Sequence, residues 1–452
     1  MSGAGARDRR GLRWASVVLV VTGMIAALMP VSAVAQKDRG WTRRRNLASG
    51  VVFTKVKDPK GPWRIFVLSI DPATPATIDT VLAGDRLPGF ERTSSMASRS
   101  GAIAAINGDY ASAVGRPIHA FARDGFLDQT PLSWGRNFSI DSTKTTSFVG
   151  HPDVTAWAQD PVTGIVSSIE RVNLGTPAWD EIAMYTPSGG GLERPPQFAC
   201  SVRLYPAERP RLRSGDSGVE SLHTVETVRC ATSRLKKKGG VVLATPSAGY
   251  RTTELSALVP GQQVTLSWSL GWPGVLDTIG GNPVIVRDGT IVTKDVTGDT
   301  PFHGLNPRTG VGVTADGRVL LIAVDGRRPG YSKGMTLKRF AKLFLEYGAT
   351  SALNLDGGGS TTVVVDGQIK NRPSDGRERS VSSALVVLPG PDPGEDQPVP
   401  PPEDDPGTAG GGSWLGIAVD PASTGGLAAY LRAETGRVPA RLRAAERVFR
   451  AE

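Results

Sequence analysis

The stretch Gly312-Val-Thr-Ala-Asp-Gly-Arg-Val-Leu-Leu-Ile-Ala-Val324 decides the architecture. Two apolar-alternating runs flank an Asp-Gly pair, and that dipeptide supplies the positive φ angles a tight hairpin needs. The same punctuation recurs outward from it. Asp124-Gly125, Asp288-Gly289 and Asp366-Gly367 also separate alternating runs, so the chain from Val51 to Leu388 reads as strands joined by turns. One helix stands clear: Leu337, Phe340, Ala341, Phe344 and Leu345 keep the 3.6-residue period, with Thr336 to cap it and Gly348 to end it. After this helix, Ala352-Leu-Asn-Leu-Asp356 is an apolar run ending in Asn-x-Asp beside glycine. Ile103-Ala-Ala-Ile-Asn-Gly-Asp109 echoes it, behind a weaker helical stretch at Glu91–Ser98. Short apolar strands that follow helices are expected at the centre of a mixed sheet. If both leave at one edge, they deliver two carboxylates to a shared cleft. The expected class is α+β or mixed α/β, a single strand-rich domain over 51–388 with a mixed sheet and flanking helices.

The flanks read differently. Arg7, Arg9, Arg10 and Arg13 precede an apolar run from Trp14 to Leu28 and the small residues Ala33-Val34-Ala35, the pattern of a cleaved signal peptide over 1–35. Four arginines and one aspartate leave with it, so the net charge of +9 becomes a diffuse +6. The dense patch from Arg234 to Lys238 has no interleaved aromatic residue, which argues against a nucleic-acid partner. Residues 36–50 form a basic leader. Residues 389–412, with eight prolines, six acids and no base, form an extended linker, and 413–452 are a short, partly helical tail, too small to bury a core alone. Export places Cys200 and Cys230 in an oxidising compartment, where they are expected to pair and staple a strand-rich elaboration over 196–240. No membrane span is expected after signal cleavage, and the localisation implied is extracellular or envelope-associated.

Several motifs carry no chemistry. Gly215-Asp-Ser-Gly218 imitates a serine-protease nucleophile loop but lacks a histidine in the required context. Four histidines without ligand spacing make no transition-metal site, so no cofactor is expected. A hard divalent cation on Asp carboxylates stays open. Asp356-Gly-Gly-Gly-Ser360 is different. Three consecutive glycines cost conformational entropy, so some neighbour or ligand must need that backbone, and successive N–H groups can form an anion-binding nest. An Asx-turn between strands is the plainer reading of the isolated motif.

Taken together, these segments resemble the phosphodiester glycosidase family. The resemblance rests on Asn306-Pro-Arg-Thr-Gly-Val-Gly312, Val324-Asp-Gly-Arg327, the helix Met335–Tyr347, Ala352-Leu-Asn-Leu-Asp-Gly-Gly-Gly-Ser-Thr361 and Asn371-Arg-Pro-Ser-Asp375. Upstream, Ala105-Ile-Asn-Gly-Asp-Tyr110 and Thr278-Ile-Gly-Gly-Asn-Pro-Val-Ile-Val-Arg-Asp-Gly289 extend it, so that it spans roughly residues 50–388. Tyr110 stands where the family commonly has Phe, and the tail has no counterpart. The resemblance implies hydrolysis of a sugar-1-phosphodiester at the anomeric carbon, with a phosphodiester-linked glycan as substrate. It makes Asp109 and Asp356 the candidate carboxylates and Arg308 the candidate phosphate clamp. Asn107, Gly108, His303, Thr309, Asp325, Asn354, Gly357, Gly358, Gly359, Ser360, Thr361, Ser374 and Asp375 become candidate substrate-binding residues. The competing reading is a non-catalytic protein that binds a glycan or envelope polymer in the same cleft.

Overall fold

The hairpin read from 312–324 is present: Arg308–Thr314 pairs antiparallel with Val319–Val324, Val313 facing Val319. The structure, a computed structural model, describes residues 40–132, 136–189, 197–206, 210–213, 218–234 and 240–390. The signal segment, the start of the leader, residues 215–217 of the protease-like motif, 235–238 of the basic patch, the linker beyond Gly390 and the tail lie outside the described residues. The hairpin turn is longer than a two-residue one. Thr314 N donates to Arg318 O (3.0 Å), and of the Asp-Gly pair only Gly317 has a positive φ (80°). In Asp124-Gly125, Asp288-Gly289 and Asp366-Gly367 both residues have one, which is the tight form expected.

The hairpin sits inside an eight-stranded sheet ordered 41–48, 51–58, 63–70, 319–324, 308–314, 349–354, 284–287, 290–291. Every pairing in it is antiparallel. The echo strand Ala104–Asn107 is central in a five-stranded sheet ordered 368–369, 363–365, 104–107, 383–388, 77–82, again antiparallel throughout. The two sheets that carry the echo strands are therefore antiparallel rather than mixed; a parallel pairing, Arg171–Val172 with Ala183–Tyr185, occurs in a separate sheet. Helices do precede both echo strands, at Thr93–Arg99 and Leu337–Glu346, but they do not serve as crossovers between parallel neighbours. The fold is strand-rich, with several sheets.

Trp41–Ala48 corrects the reading of 36–50 as a leader. It is an edge strand, folded back at Gly50 (φ 69°) onto Val51–Asp58. Its exposed arginines hide the strand pattern, and they also discourage further strand addition at that edge.

Phe53, Leu68, Val311, Leu321 and Leu353 of the large sheet pack on Ile106 and Leu385 of the five-stranded sheet. Phe138 and Ile279 join this core from a second five-stranded sheet, ordered 147–150, 137–141, 275–280, 121–123, 126–129. On the opposite face, Leu337, Phe340 and Phe344 of the helix bury against Ile65, Ile322 and Val286. Thr336 Oγ1 accepts from Arg339 N (3.2 Å), and Gly348 (φ 85°) follows the helix end, as the spacing predicts. Cys200 and Cys230 are disulfide-bonded across adjacent strands of a nine-stranded sheet that has its own core of Val202, Leu243, Leu266 and Trp268. That sheet runs from 154 to 270, well beyond 196–240. Among the described residues no helix is long and apolar enough to cross a membrane.

Candidate active site

The two echo strands belong to different sheets, yet their ends cross. Asp356 N donates to Gly108 O (3.1 Å), and Asn107 Nδ2 donates to Asp356 O (2.6 Å). Asn107 Oδ1 in turn accepts from Thr309 Oγ1 (2.9 Å) and Thr362 N (3.1 Å). Asn107 is thus a buried stitch between three segments. Thr309 and Thr361 are buried beside it, their hydroxyl oxygens 3.3 Å apart. Gly108 has no room for a side chain: a Cβ there would lie 2.5 Å from Ile279 Cδ1 and 2.7 Å from Ser383 Oγ.

Asp109 is buried, and its carboxylate is already committed. It accepts from Tyr110 N (2.7 Å), His119 N (2.9 Å) and the His119 ring at Nδ1 (2.7 Å). His119 is itself fully buried, and its Nε2 has no hydrogen-bond partner. An imidazole oriented by a carboxylate through one nitrogen has the other set for proton exchange or substrate contact. The Gly-Gly pair of the 278–289 segment exists for this packing. A Cβ on Gly280 would lie 2.1 Å from His119 Cβ and 2.8 Å from Asp109 Oδ2, and one on Gly281 2.6 Å from Asn354 O. Asn354 is buried too and donates to Tyr110 Oη and Asn282 O, both at 2.7 Å.

Asp356 opens the Gly-rich turn at the end of Ala349–Asn354 and keeps partial access to solvent. Its carboxyl is pushed up to about 6, first by desolvation and further by the nearby Asp109 charge. The Ser360 hydroxyl, the Arg379 guanidinium and the Gly357 N–H pull the other way. The expected three-amide nest does not form. Gly357 N–H serves Asp356, Gly358 N donates to Pro307 O (3.0 Å), and Gly359 N–H is the one left. The glycines answer to sterics instead. A Cβ on Gly357 would meet Pro307 O at 2.7 Å, and Gly358 has φ 59° with the Arg327 guanidinium beside it. At Gly359 a Cβ would strike Arg379 Nη2 and Asp375 Oδ2, both at 2.2 Å.

Two arginines therefore flank the turn. Arg327 is exposed and donates from Nη2 to Asn306 Oδ1 (3.0 Å), while Arg379 pairs with Asp375 Oδ2 (2.6 Å). Ser374, half-buried, leans towards Asp375 at 3.5 Å. Arg308 corrects its expected role as a two-pronged clamp. It is buried, donating from Nε to Met335 O (3.1 Å) and from Nη2 to Phe302 O (2.7 Å) and Gly304 O (2.8 Å), which leaves Nη1. Burial pulls its guanidinium down to about 10, and the Arg327 charge adds to this against Tyr110. His303, next to it, is held below the usual histidine range by partial burial and by Arg308. Asp325 is a strut: Asn371 Nδ2, Arg372 N and Tyr331 Oη donate to it at 3.0–3.1 Å, fixing the loop that carries Asp375.

His119 and Arg379 escaped the sequence reading, and Arg327 entered it only as the end of a motif, with no role. His119 is a lone histidine in an apolar stretch, and its one available signal is that it lies ten residues beyond Asp109. The cation question has a concrete location away from this turn. Asp79, Asp124 and Asp277 bring carboxylate oxygens within 4.8 Å of one another, a set that could hold a hard cation. Lys144 Nζ, 2.6 Å from Asp277 Oδ2, already supplies positive charge there.

Known proteins resemble part of this chain. Residues 229–388 match the model of the phosphodiester glycosidase family. The SPbeta prophage-derived uncharacterized protein YomE of Bacillus subtilis (strain 168) is 37% identical over 103 residues, 23% of this chain and 16% of that protein. The N-acetylglucosamine-1-phosphodiester alpha-N-acetylglucosaminidase of Bos taurus is 38% identical over 71 residues, 16% of this chain and 13% of that one. The matches thus span less than a fifth of either relative. A hypothetical protein from Synechocystis shares the fold at TM-score 0.58 and 19% identity, over 77% of this chain and 64% of that one. The segment that holds Asp356 is thus similar to the phosphodiester glycosidase family, whose model matches residues 229–388.

Proposed function

We propose that the site hydrolyses the anomeric C–O bond of a sugar-1-phosphodiester, of the N-acetylglucosamine-1-phosphodiester kind, freeing the sugar and leaving a phosphate monoester. The observation that carries this reading is Asp356: a carboxyl pushed up to about 6, set in a glycine turn between two guanidinium groups. A phosphate monoester has a second pKa near 6, so it leaves without strong help from an acid. The chemistry then needs charge neutralisation on the phosphate and a carboxylate at the anomeric side. Arg327 and Arg379 supply the first, with Arg308 Nη1 and the Gly359 N–H behind them. Asp356, largely ionised at neutral pH, takes the proton of the attacking water as the C–O bond to phosphate breaks. Asp109 acts through His119, whose Nε2 is free to hydrogen-bond a sugar hydroxyl or the water.

The Cys200–Cys230 bond supports export to an oxidising compartment, and an extracellular or envelope glycan as the source of substrate. The test is incubation with a synthetic N-acetylglucosamine-1-phosphodiester and identification of both products. Free sugar plus phosphate monoester is expected. Sugar-1-phosphate would put the cleaved bond on the other side of phosphorus, and binding without any product would favour the non-catalytic reading.

A further inference from the structure

A cationic face runs from the Arg327 corner of the site to the edge of the large sheet. The register puts Arg43 opposite Lys55 and Lys57 opposite Arg64, and strand alternation turns all four side chains to the same side as the site. Asp325 follows on the next strand, its N–H donating to Arg64 O. Arg64 and Arg372 both lie over the Tyr331 ring, 4.8 and 4.5 Å from its centre. Burial first, then the Arg372, Arg64 and Arg43 charges, hold the Lys55 ammonium below its ordinary range against the opposing pull of Asp325.

Like charges directly opposite in a sheet are destabilising. Here they recur on three adjacent strands, Arg43 and Arg64 being two strand spacings and a two-residue shift, or about 12 Å, apart. The one carboxylate among them, Asp325, is buried and occupied by Asn371, Arg372 N–H and Tyr331. Among the described residues, Arg43, Lys55, Arg64, Arg327 and Arg372 make no ion pair with a carboxylate. Arg43, Lys55, Arg64 and Arg372 are held over aromatic rings rather than paired with carboxylates, and a face of such cations suits an external anion.

We propose that this face binds the phosphates of an extended acceptor chain, so that the sugar removed at Asp356 is carried on a linear polymer of repeating phosphodiesters. The proposal rests on the hydrolysis proposed above only for the position of the scissile phosphate beside Arg327. A nucleic acid has the same backbone charge, but it binds single-stranded grooves largely by stacking bases on open aromatic rings. The rings here are already covered: Tyr331 by two guanidinium groups, and Trp41 by Arg43 at 4.9 Å.

The experiment measures equilibrium binding of a fluorescently labelled glycerol-phosphate oligomer, at two salt concentrations, to the wild-type chain and to an Arg43→Gln/Lys55→Gln/Arg64→Gln variant. The variant should bind about tenfold more weakly, with a salt dependence shallower by about 0.7 per lost phosphate contact. It should melt at or above the wild-type temperature, because like-charge repulsion has been removed. A charge-conserving Arg43→Lys/Lys55→Arg variant should bind as the wild type does. Unchanged affinity in the Gln variant would overturn the proposal, and so would equal binding of a single-stranded oligonucleotide of the same charge. In turnover, the Gln variant should keep kcat/KM on a small sugar-1-phosphodiester and lose it on the polymer-borne sugar; equal loss on both would also count against the track. Lack of turnover on either substrate bears on the hydrolysis alone, since binding is read without it.

Discussion

Replacing Asp356 by Asn separates what the site needs from what the fold prefers. The native carboxyl titrates near 6, against an ordinary value of 3.8. A raised carboxyl pKa means that the folded state holds its proton more tightly than the unfolded chain does. The stability linked to that proton is therefore present below 3.8 and lost as pH rises through 6. The gap of about two units, at about 1.4 kcal/mol each, makes the ionised carboxylate cost up to about 3 kcal/mol at pH 8. Asn keeps the shape and can still accept from Ser360, but it cannot ionise. Thermal and urea unfolding at pH 5 and pH 8 are the assay. At pH 8 the variant should be more stable than the wild type by about 1–3 kcal/mol, since some of the gain is lost with the attraction to Arg379. Below pH 5 the difference should shrink towards zero or reverse. Turnover should fall by at least about a thousandfold at every pH. A stability difference that ignores pH, or a wild type more stable at pH 8, would refute the electrostatic account of this carboxyl.

Three further substitutions probe other parts of the site. Gly359→Ala places a methyl on the Asp375–Arg379 pair, so kcat/KM should drop more than tenfold while circular dichroism stays native, and wild-type kinetics would mean that the pair is not needed. His119→Ala leaves the buried Asp109 charge without its ring partner and should cost about 3–5 kcal/mol in urea unfolding, together with activity. Cys200→Ser with Cys230→Ser opens a loop of 30 residues and should lower stability by about 3 kcal/mol under oxidising conditions, with kcat/KM on a small diester unchanged.

The turns and the helix were legible because each depends on local chemistry, whereas the approach of Asp109 to Asp356 was signalled by the repeated Asn-x-Asp pattern alone. The Asp-Gly pairs at 124–125, 288–289 and 366–367 take positive φ at both residues, and Thr336 caps a helix using three residues of context. Strand direction depends on partners far along the chain, so apolar runs behind helices fit a mixed sheet on sequence alone, whereas their register is antiparallel. Trp41–Ala48 was hidden for a related reason: an edge strand needs few apolar residues, and three arginines resemble a solvated leader. At the site, the glycines were correctly singled out but the physical demand on them was different. Their amides are mostly spent within the protein, and what they provide is clearance for Arg327 and Arg379. No spacing rule links Gly358 to Arg327 or Gly359 to Arg379, because those contacts are made by the fold.

The seam at Asn107 also separates the unit of kinship from the unit of folding. Residues 229–388 carry the family match, but the strand that completes their sheet, Ala104–Asn107, lies outside them, as do Asp109 and His119. Cut out alone, that segment would expose the edges of Val363–Val365 and Ser383–Leu388 where strand 104–107 belongs, an invitation to pair with other chains. Contacts that join residue 107 to residue 356 form only after a long loop has closed, so they come late and at a large entropic cost. The site proposed at Asp356 is thus assembled only when this long-range closure has been made, so under the proposed function turnover would report that the seam at Asn107 has closed.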